Sequence, residues 1–189
     1  MKSMNKSNFF IIEKNLDIYT TKNKPKTLEH KYMNFRLICI GTLKEKNWES
    51  IISDYSKRIQ RFHRFEIIEI KEKKDWKTME PIQRKAMESA ALLEHISTGY
   101  LQVLLDEKGK QYTSNQLALQ LQQWMNRSGK GIEWIVGGPY GYSEEIYHQI
   151  SNHIALSKLT FTHEMARVML TEQLYRSLTI LHNIPYHHS

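Results

Sequence analysis

Three short segments in the second half of the chain carry the residue types that could do chemistry. They are Ile135-Val136-Gly137-Gly138-Pro139-Tyr140-Gly141, then Leu156-Ser157-Lys158-Leu159-Thr160-Phe161, then Asn183-Ile184-Pro185-Tyr186-His187. The first two each read as a buried strand that runs into a turn. That pattern predicts a small molecule gripped by main chain at two neighbouring strand ends, where open α/β sheets bind ligands. Glycine permits close backbone approach and Pro139 stiffens the turn. The glycine run is neither a phosphate-binding loop nor a spaced dinucleotide fingerprint, and by itself it reads first as a tight turn. Leu156 to Phe161 alternates apolar and polar residues, so main-chain groups beside Leu156, Leu159 and Phe161 would suit a flat heterocycle such as adenine. Spacing alone favours a strand-to-helix loop with core anchors.

Side chains with acid–base potential cluster near the end. His163 and Arg167 stand four apart, on one face of a helix. They read as a proton acceptor beside a phosphate or carboxylate clamp, or as a plain surface pair at a helix start. Tyr186 and His187, just after Pro185, could stack on and hydrogen-bond an unpaired base, although terminal tails normally fray. Lys57, Arg58, Arg61, His63 and Arg64 form a basic cluster that fits RNA phosphates and equally fits a solvated helix end. His182, His187 and His188 lack a carboxylate companion and regular ligand spacing, so no metal is expected. Cys39 is the single cysteine, which excludes a disulfide within the chain and a cysteine zinc site.

Strand-like and helix-like stretches alternate from Met33 onward. Phe35–Ile40 is an apolar run stopped by Gly41, and Asn47 can cap a helix over about Trp48 to Arg61. Phe65–Ile70 is a second strand, followed by a lysine-rich loop and a helix from about Glu80 to Ile96 with Pro81 in its first turn. Tyr100–Leu105 is a third strand, ended by the charged run Asp106 to Lys110. A helix over Ser114–Arg127 follows, then a strand over Ile132–Val136. A short helix capped by Ser143 and a brief strand over His153–Leu156 come next. The last helix spans about His163 to His182. This alternation predicts an α/β fold, a parallel sheet with helices on both faces in one domain over 33–189. Apolar residues point in nearly every direction around the last helix, a pattern of burial on more than one side; a second copy of the chain is the simplest partner.

The chain has 189 residues, and 27 Lys and Arg against 20 acidic residues set its net charge at +7. Residues 1–32 carry +4 of that charge, leaving +3 on the rest. A basic balance favours nucleic acid over a membrane surface as partner. Residues 1–32 lack sustained periodicity and read as a disordered extension, or as a mis-assigned start with the true one at Met33. No apolar run approaches the roughly 20 residues of a membrane span, and Phe9–Ile12 is too short for a signal-peptide core. The cytoplasm is the expected compartment.

Taken together and in order, Leu105-Asp106 with Gly109-Lys110, the Ile-Val-Gly-Gly-Pro-x-Gly run, Leu-Ser-x-Leu-Thr-Phe-x-His, Glu-Gln-Leu-Tyr-Arg and Asn-x-Pro-Tyr-His resemble the ribosomal RNA large-subunit methyltransferase H family of the SPOUT methyltransferases. The resemblance runs from Met33 to the C-terminus. It implies a deep C-terminal trefoil knot, a homodimer, and S-adenosylmethionine as methyl donor. It also implies methylation of N3 of a pseudouridine in a 23S rRNA hairpin of the assembled 70S ribosome. By the same resemblance Leu105, Gly137, Leu156, Ser157, Lys158, Leu159, Thr160 and Phe161 would contact the donor, with Gly138 shaping the loop. His163, Arg167, Tyr175, Arg176, Tyr186 and His187 would face the target nucleotide, the tail of one subunit reaching its partner's pocket. The long N-terminal extension and the ending His188-Ser189 depart from the family pattern. Competing readings are ribose 2′-O-methylation, a non-catalytic RNA- or ribosome-binding protein on the same scaffold, and a flavodoxin-like nucleotide binder.

Overall fold

The computed structural model describes residues 32–187. The expectation for 1–32 therefore lies, Tyr32 apart, outside the described residues. The elements run β1 (Asn34–Ile40), α1 (Lys46–Ile59), β2 (Arg64–Ile70), a 3-10 turn (Lys74–Thr78), α2 (Pro81–His95), β3 (Tyr100–Gln111), α3 (Ser114–Arg127), β4 (Gly131–Val136), α4 (Glu144–Gln149), β5 (His153–Ala155) and α5 (His163–Leu181). The five strands form one sheet in the order β2-β1-β4-β3-β5, and every pairing is parallel.

Strand periodicity divides the core into two layers, because successive side chains leave opposite faces of a sheet. Phe35, Leu37 and Cys39 of β1 join Ile132, Trp134 and Val136 of β4 beneath α1, α3 and α5. Ile38, Ile40, Leu104 and Ile135 face the other way, toward Trp76, Leu92 of α2 and Ile146 of α4. Between these layers lie both faces of a mostly apolar sheet, which is why β1 and β4 read as apolar runs broken only by Arg36 and Glu133, a pair at 3.4 Å.

Helix α5 lies against both α1 and α3, and none of its 19 residues is exposed. Tyr175 meets Tyr55 of α1 at 6.1 Å between ring centroids, and Ser114 of α3 donates to Gln173 at 3.2 Å. Its all-round apolarity is thus largely met by helices of the same chain, and does not by itself call for a second copy.

Four expectations need correction. Helix α1 starts at Lys46, with Glu45 rather than Asn47 as N-cap, and no side chain caps it; the Trp48 and Glu49 amides donate to the Glu45 carbonyl instead. Strand β3 continues through the charged run to Gln111, because its pairing with β5 shifts register between Leu105 and Lys110 and resumes beyond. Segment 156–161 is the strand-to-helix loop that spacing favoured rather than strand running into a turn, and Leu159 is no core anchor: β5 stops at Ala155, and the chain then bends, with Lys158, Leu159 and Thr160 exposed. Arg167, expected beside His163 as a clamp, is buried at the carboxyl end of β1.

That arginine ties α5 to the sheet. Its guanidinium donates to the carbonyls of Ile40 and, at 3.0 Å, Gly41, and pairs with Glu69 at 3.3 Å. Arg167→Met should therefore lower the unfolding free energy by about 1–3 kcal/mol for each carbonyl left unpaired, read by urea denaturation. An unchanged unfolding midpoint would show that these bonds do not hold the helix.

Candidate active site

A cleft of about 900 Å³ opens at the carboxyl ends of β4 and β5, beside the stretch of β3 just past its last pairing with β4, the side on which parallel sheets bind ligands. A stretch of β3, Leu105 to Lys108, and two loops, Val136 to Tyr142 and Leu156 to Thr162, wall it, with His163, Glu164 and Ala166 from the start of α5. The two segments singled out by sequence thus meet in space. Leu105, Gly137, Gly138, Leu156, Ser157, Leu159, Thr160, Phe161 and His163 all line the cleft. Lys158 is exposed and outside the lining.

Each loop is held by side-chain bonds that bring the strand ends together. Ser157 accepts from the Leu159 amide at 3.0 Å, turning the chain just past β5. Thr160 donates to Glu107 at 3.1 Å, tying the loop after β5 to the bulged part of β3. Thr162 caps α5 by accepting from the Met165 amide at 3.3 Å. Tyr147 donates to Asp106, whose other oxygen accepts from the Lys108 amide at 3.0 Å.

The two glycines of the turn owe their identity to protein atoms behind them. A Cβ on Gly137 would lie 2.9 Å from the Tyr142 ring, and one on Gly138 would lie 2.2 Å from the Glu88 carboxylate. Glu88 is fully buried on α2 and accepts from Arg84 at 2.7 Å; burial pushes its carboxyl up from the ordinary range despite that cation. Sequence had read these glycines first as a tight turn, and otherwise as room for a ligand. Their near neighbours, Tyr142 and Glu88, went unread because nothing local marks the close packing of residue 88 behind residue 138.

Nor is the site main chain alone. Asp106, Glu107, Glu144 and Glu164 line it against Lys85 and Lys108, an acidic cleft in a basic protein. Such a lining favours a cationic ligand.

Arg176, Tyr186 and His187 gather at the other end of α5. Glu172 pairs with Arg176 at 2.5 Å and accepts from the Tyr186 hydroxyl at 3.1 Å. The Tyr186 hydroxyl is 3.2 Å from that of Tyr55, and Arg176 stands 4.8 Å over the Tyr186 ring and 3.3 Å from His187 Nδ1. Burial, with these neighbours, raises the Tyr186 phenol well above its ordinary range. Thirteen residues of helix separate His163 from Arg176, about 20 Å at the helical rise. One chain therefore presents the cleft and this cluster apart.

The family described as predicted SPOUT methyltransferase matches residues 33–187. Ribosomal RNA large subunit methyltransferase H of Christiangramia forsetii is 42% identical over 156 residues, covering 82% of this chain and 99% of that protein. The protein of the same name from Flavobacterium psychrophilum is 40% identical with the same coverage. Among solved structures, a probable methylase family protein from Haemophilus influenzae Rd KW20 matches 80% of this chain and 67% of its own at a TM-score of 0.44 and 11% identity, too distant to carry an argument. The chain belongs to the SPOUT methyltransferases, and among them to the ribosomal RNA large subunit methyltransferase H family. The family match, like the described fold, starts at the first strand, beyond the lysine-rich segment.

His163 stands at the cleft, half-buried, and its imidazole is held below the ordinary value, first by burial and then by the Arg167 charge. It is neutral at pH 7 and able to accept a proton. Because the folded-state value is depressed, its share of stability is present above about pH 6.5 and is lost as pH falls through the folded value. An NMR titration should place the His163 midpoint below 6.5. A midpoint at or above that value would contradict the burial argument.

Proposed function

We propose that this protein transfers a methyl group from S-adenosylmethionine to N3 of a pseudouridine in 23S rRNA of the assembled 70S ribosome, in the cytoplasm. It acts as a homodimer with a deep trefoil knot in its C-terminal region. The observation that carries the reading is the meeting of Leu105, Gly137 and the 156–161 segment in one cleft, in a chain whose relatives are named for ribosomal RNA methylation.

The residues present fit the donor. Four carboxylates in the lining suit its net positive charge, and Leu156, Leu159 and Phe161 offer apolar surface for a flat base. When bound, the donor supplies a methyl carbon already activated by a sulfonium. The chain's own task is alignment, which for well-oriented reactants can supply roughly 7–11 kcal/mol. It must also take the proton from the ring nitrogen before the nitrogen lone pair can form its bond to carbon. His163 and His187 are the candidate acceptors, and Arg176 with Tyr186 stabilises the anionic base.

Placement of these groups supports a two-chain site. His163 lines the cleft of its own chain, whereas Arg176, Tyr186 and His187 lie about 20 Å along the helix. The tail cluster of one copy would complete the cleft of the other. Arg167 has no part in contacting the target on this reading, since its guanidinium is taken by the end of β1.

Removing the imidazole by His187→Ala should cut single-turnover methylation of 70S ribosomes by about 100-fold or more, the scale of general acid–base catalysis. Donor affinity by calorimetry should stay within about twofold. Mass mapping of the modified nucleotide should show the methyl on a pseudouridine base. A methyl on ribose, or equal losses in turnover and donor affinity, would refute the assignment.

A further inference from the structure

One hydroxyl in the cleft wall serves three main-chain groups. The Gly137 amide donates to the Tyr142 oxygen at 2.9 Å, and that oxygen lies 2.9 Å from the carbonyls of both Leu105 and Ile135. A phenol has a single proton, so it accepts from Gly137 while donating to one of the two carbonyls at a time. Tyr142 is buried, and its ring fills the space where Gly137 would otherwise carry a side chain. Burial raises the phenol far above its ordinary range, so it stays protonated and can donate.

The three partners belong to different parts of the cleft. Leu105 is in β3, Ile135 is in β4, and Gly137 opens the turn beyond β4. Those strands are neighbours in the sheet, and the chain leaving β4 must cross β3 to reach β5. Nothing in strand pairing fixes that crossing, because Gly137 lies past the last paired residue of β4. The phenol supplies the missing tie.

We propose that Tyr142 is a positioning residue of the donor site, locking the Gly137 turn against Leu105 in the middle of β3 so that the cleft has its shape before the methyl donor arrives. This rests on the donor reading given above. It also says which atom of Gly137 is left for a ligand: the amide is already bonded to the phenol, so the carbonyl remains. A turn fixed in advance loses less freedom on binding, and affinity gains by that amount.

Tyr142→Phe keeps the ring and removes only the tie. It should weaken S-adenosylmethionine binding by about tenfold in calorimetry, while kcat at saturating donor and KM for ribosomes stay within about twofold of wild type. A lowered thermal midpoint with unchanged donor affinity would reduce Tyr142 to a purely structural role and overturn the proposal. Amide exchange on the wild-type protein provides a second reading that does not depend on the variant folding. The Gly137 amide should exchange slowly before any donor is added; fast exchange that slows only with donor would overturn the proposal. Wild-type protein with a slow Gly137 amide but no donor binding would instead sink the methyl-donor reading and leave the tie itself intact.

Discussion

A single rigid helix sets the terms for everything chemical in this protein. α5 carries His163 in its first turn and Arg176 near its last, and the helical rise holds them about 20 Å apart. The helix cannot shorten that span by bending, since α1 and α3 flank it and Arg167 fastens it to the carbonyls at the end of β1. A residue first suspected of touching substrate is thereby accounted for as the bolt of the helix. The tail that follows turns back at Asn183, in the left-handed region at φ 54°, and lays Tyr186 against Tyr55 and Tyr175. Two half-sites on one chain, each well ordered by its own contacts, are what a composite active site would need from each copy.

At the other end of the argument stands the sheet. Parallel strands all present their carboxyl ends on one edge, and there the order β4-β3-β5 brings the loops after β4 and β5 to either side of β3. The resulting cleft is shaped from behind as much as from within. Tyr142 and Glu88 occupy the space behind the two glycines, so those positions are fixed by packing even before a ligand is considered. Acidic residues around the opening suit a sulfonium compound and oppose a free polyanion. RNA would then be met by other surfaces.

Local patterns revealed the fold well where one physical signal dominated. The helix over Ser114–Arg127 is found at those bounds because Thr113 and Gln116 form a capping box and the apolar stripe is clean. β1 and β4 were visible as mostly apolar runs, each with one charged residue, since both their faces are covered. The sequence misled where two signals agreed by chance. Leu156 to Phe161 alternates like a strand, yet β5 is an edge strand only three residues long, and Ser157 turns the chain by bonding the Leu159 amide. Asp106 to Lys110 looked like the end of the third strand, but the register shift lets those charges stay in β3. Of the site, the lining segments were legible as motifs. The groups that fix them were not, because Tyr142 to Leu105, Glu88 to Gly138 and Arg167 to Ile40 are bonds and contacts between residues far apart in sequence.

Mixing two inactive variants tests the central claim most directly. One carries an intact cleft with Tyr186→Ala and His187→Ala; the other carries an intact tail with a cleft wall displaced by Gly137→Val, whose branched side chain collides with the Tyr142 ring behind the turn. Co-refolded or subunit-exchanged, they should recover methylation of 70S ribosomes to about a quarter of wild type, since about half of the pairs are mixed and each has one complete site. No activity in the mixture, with mixed pairs confirmed by native mass spectrometry, would contradict a site assembled from two copies.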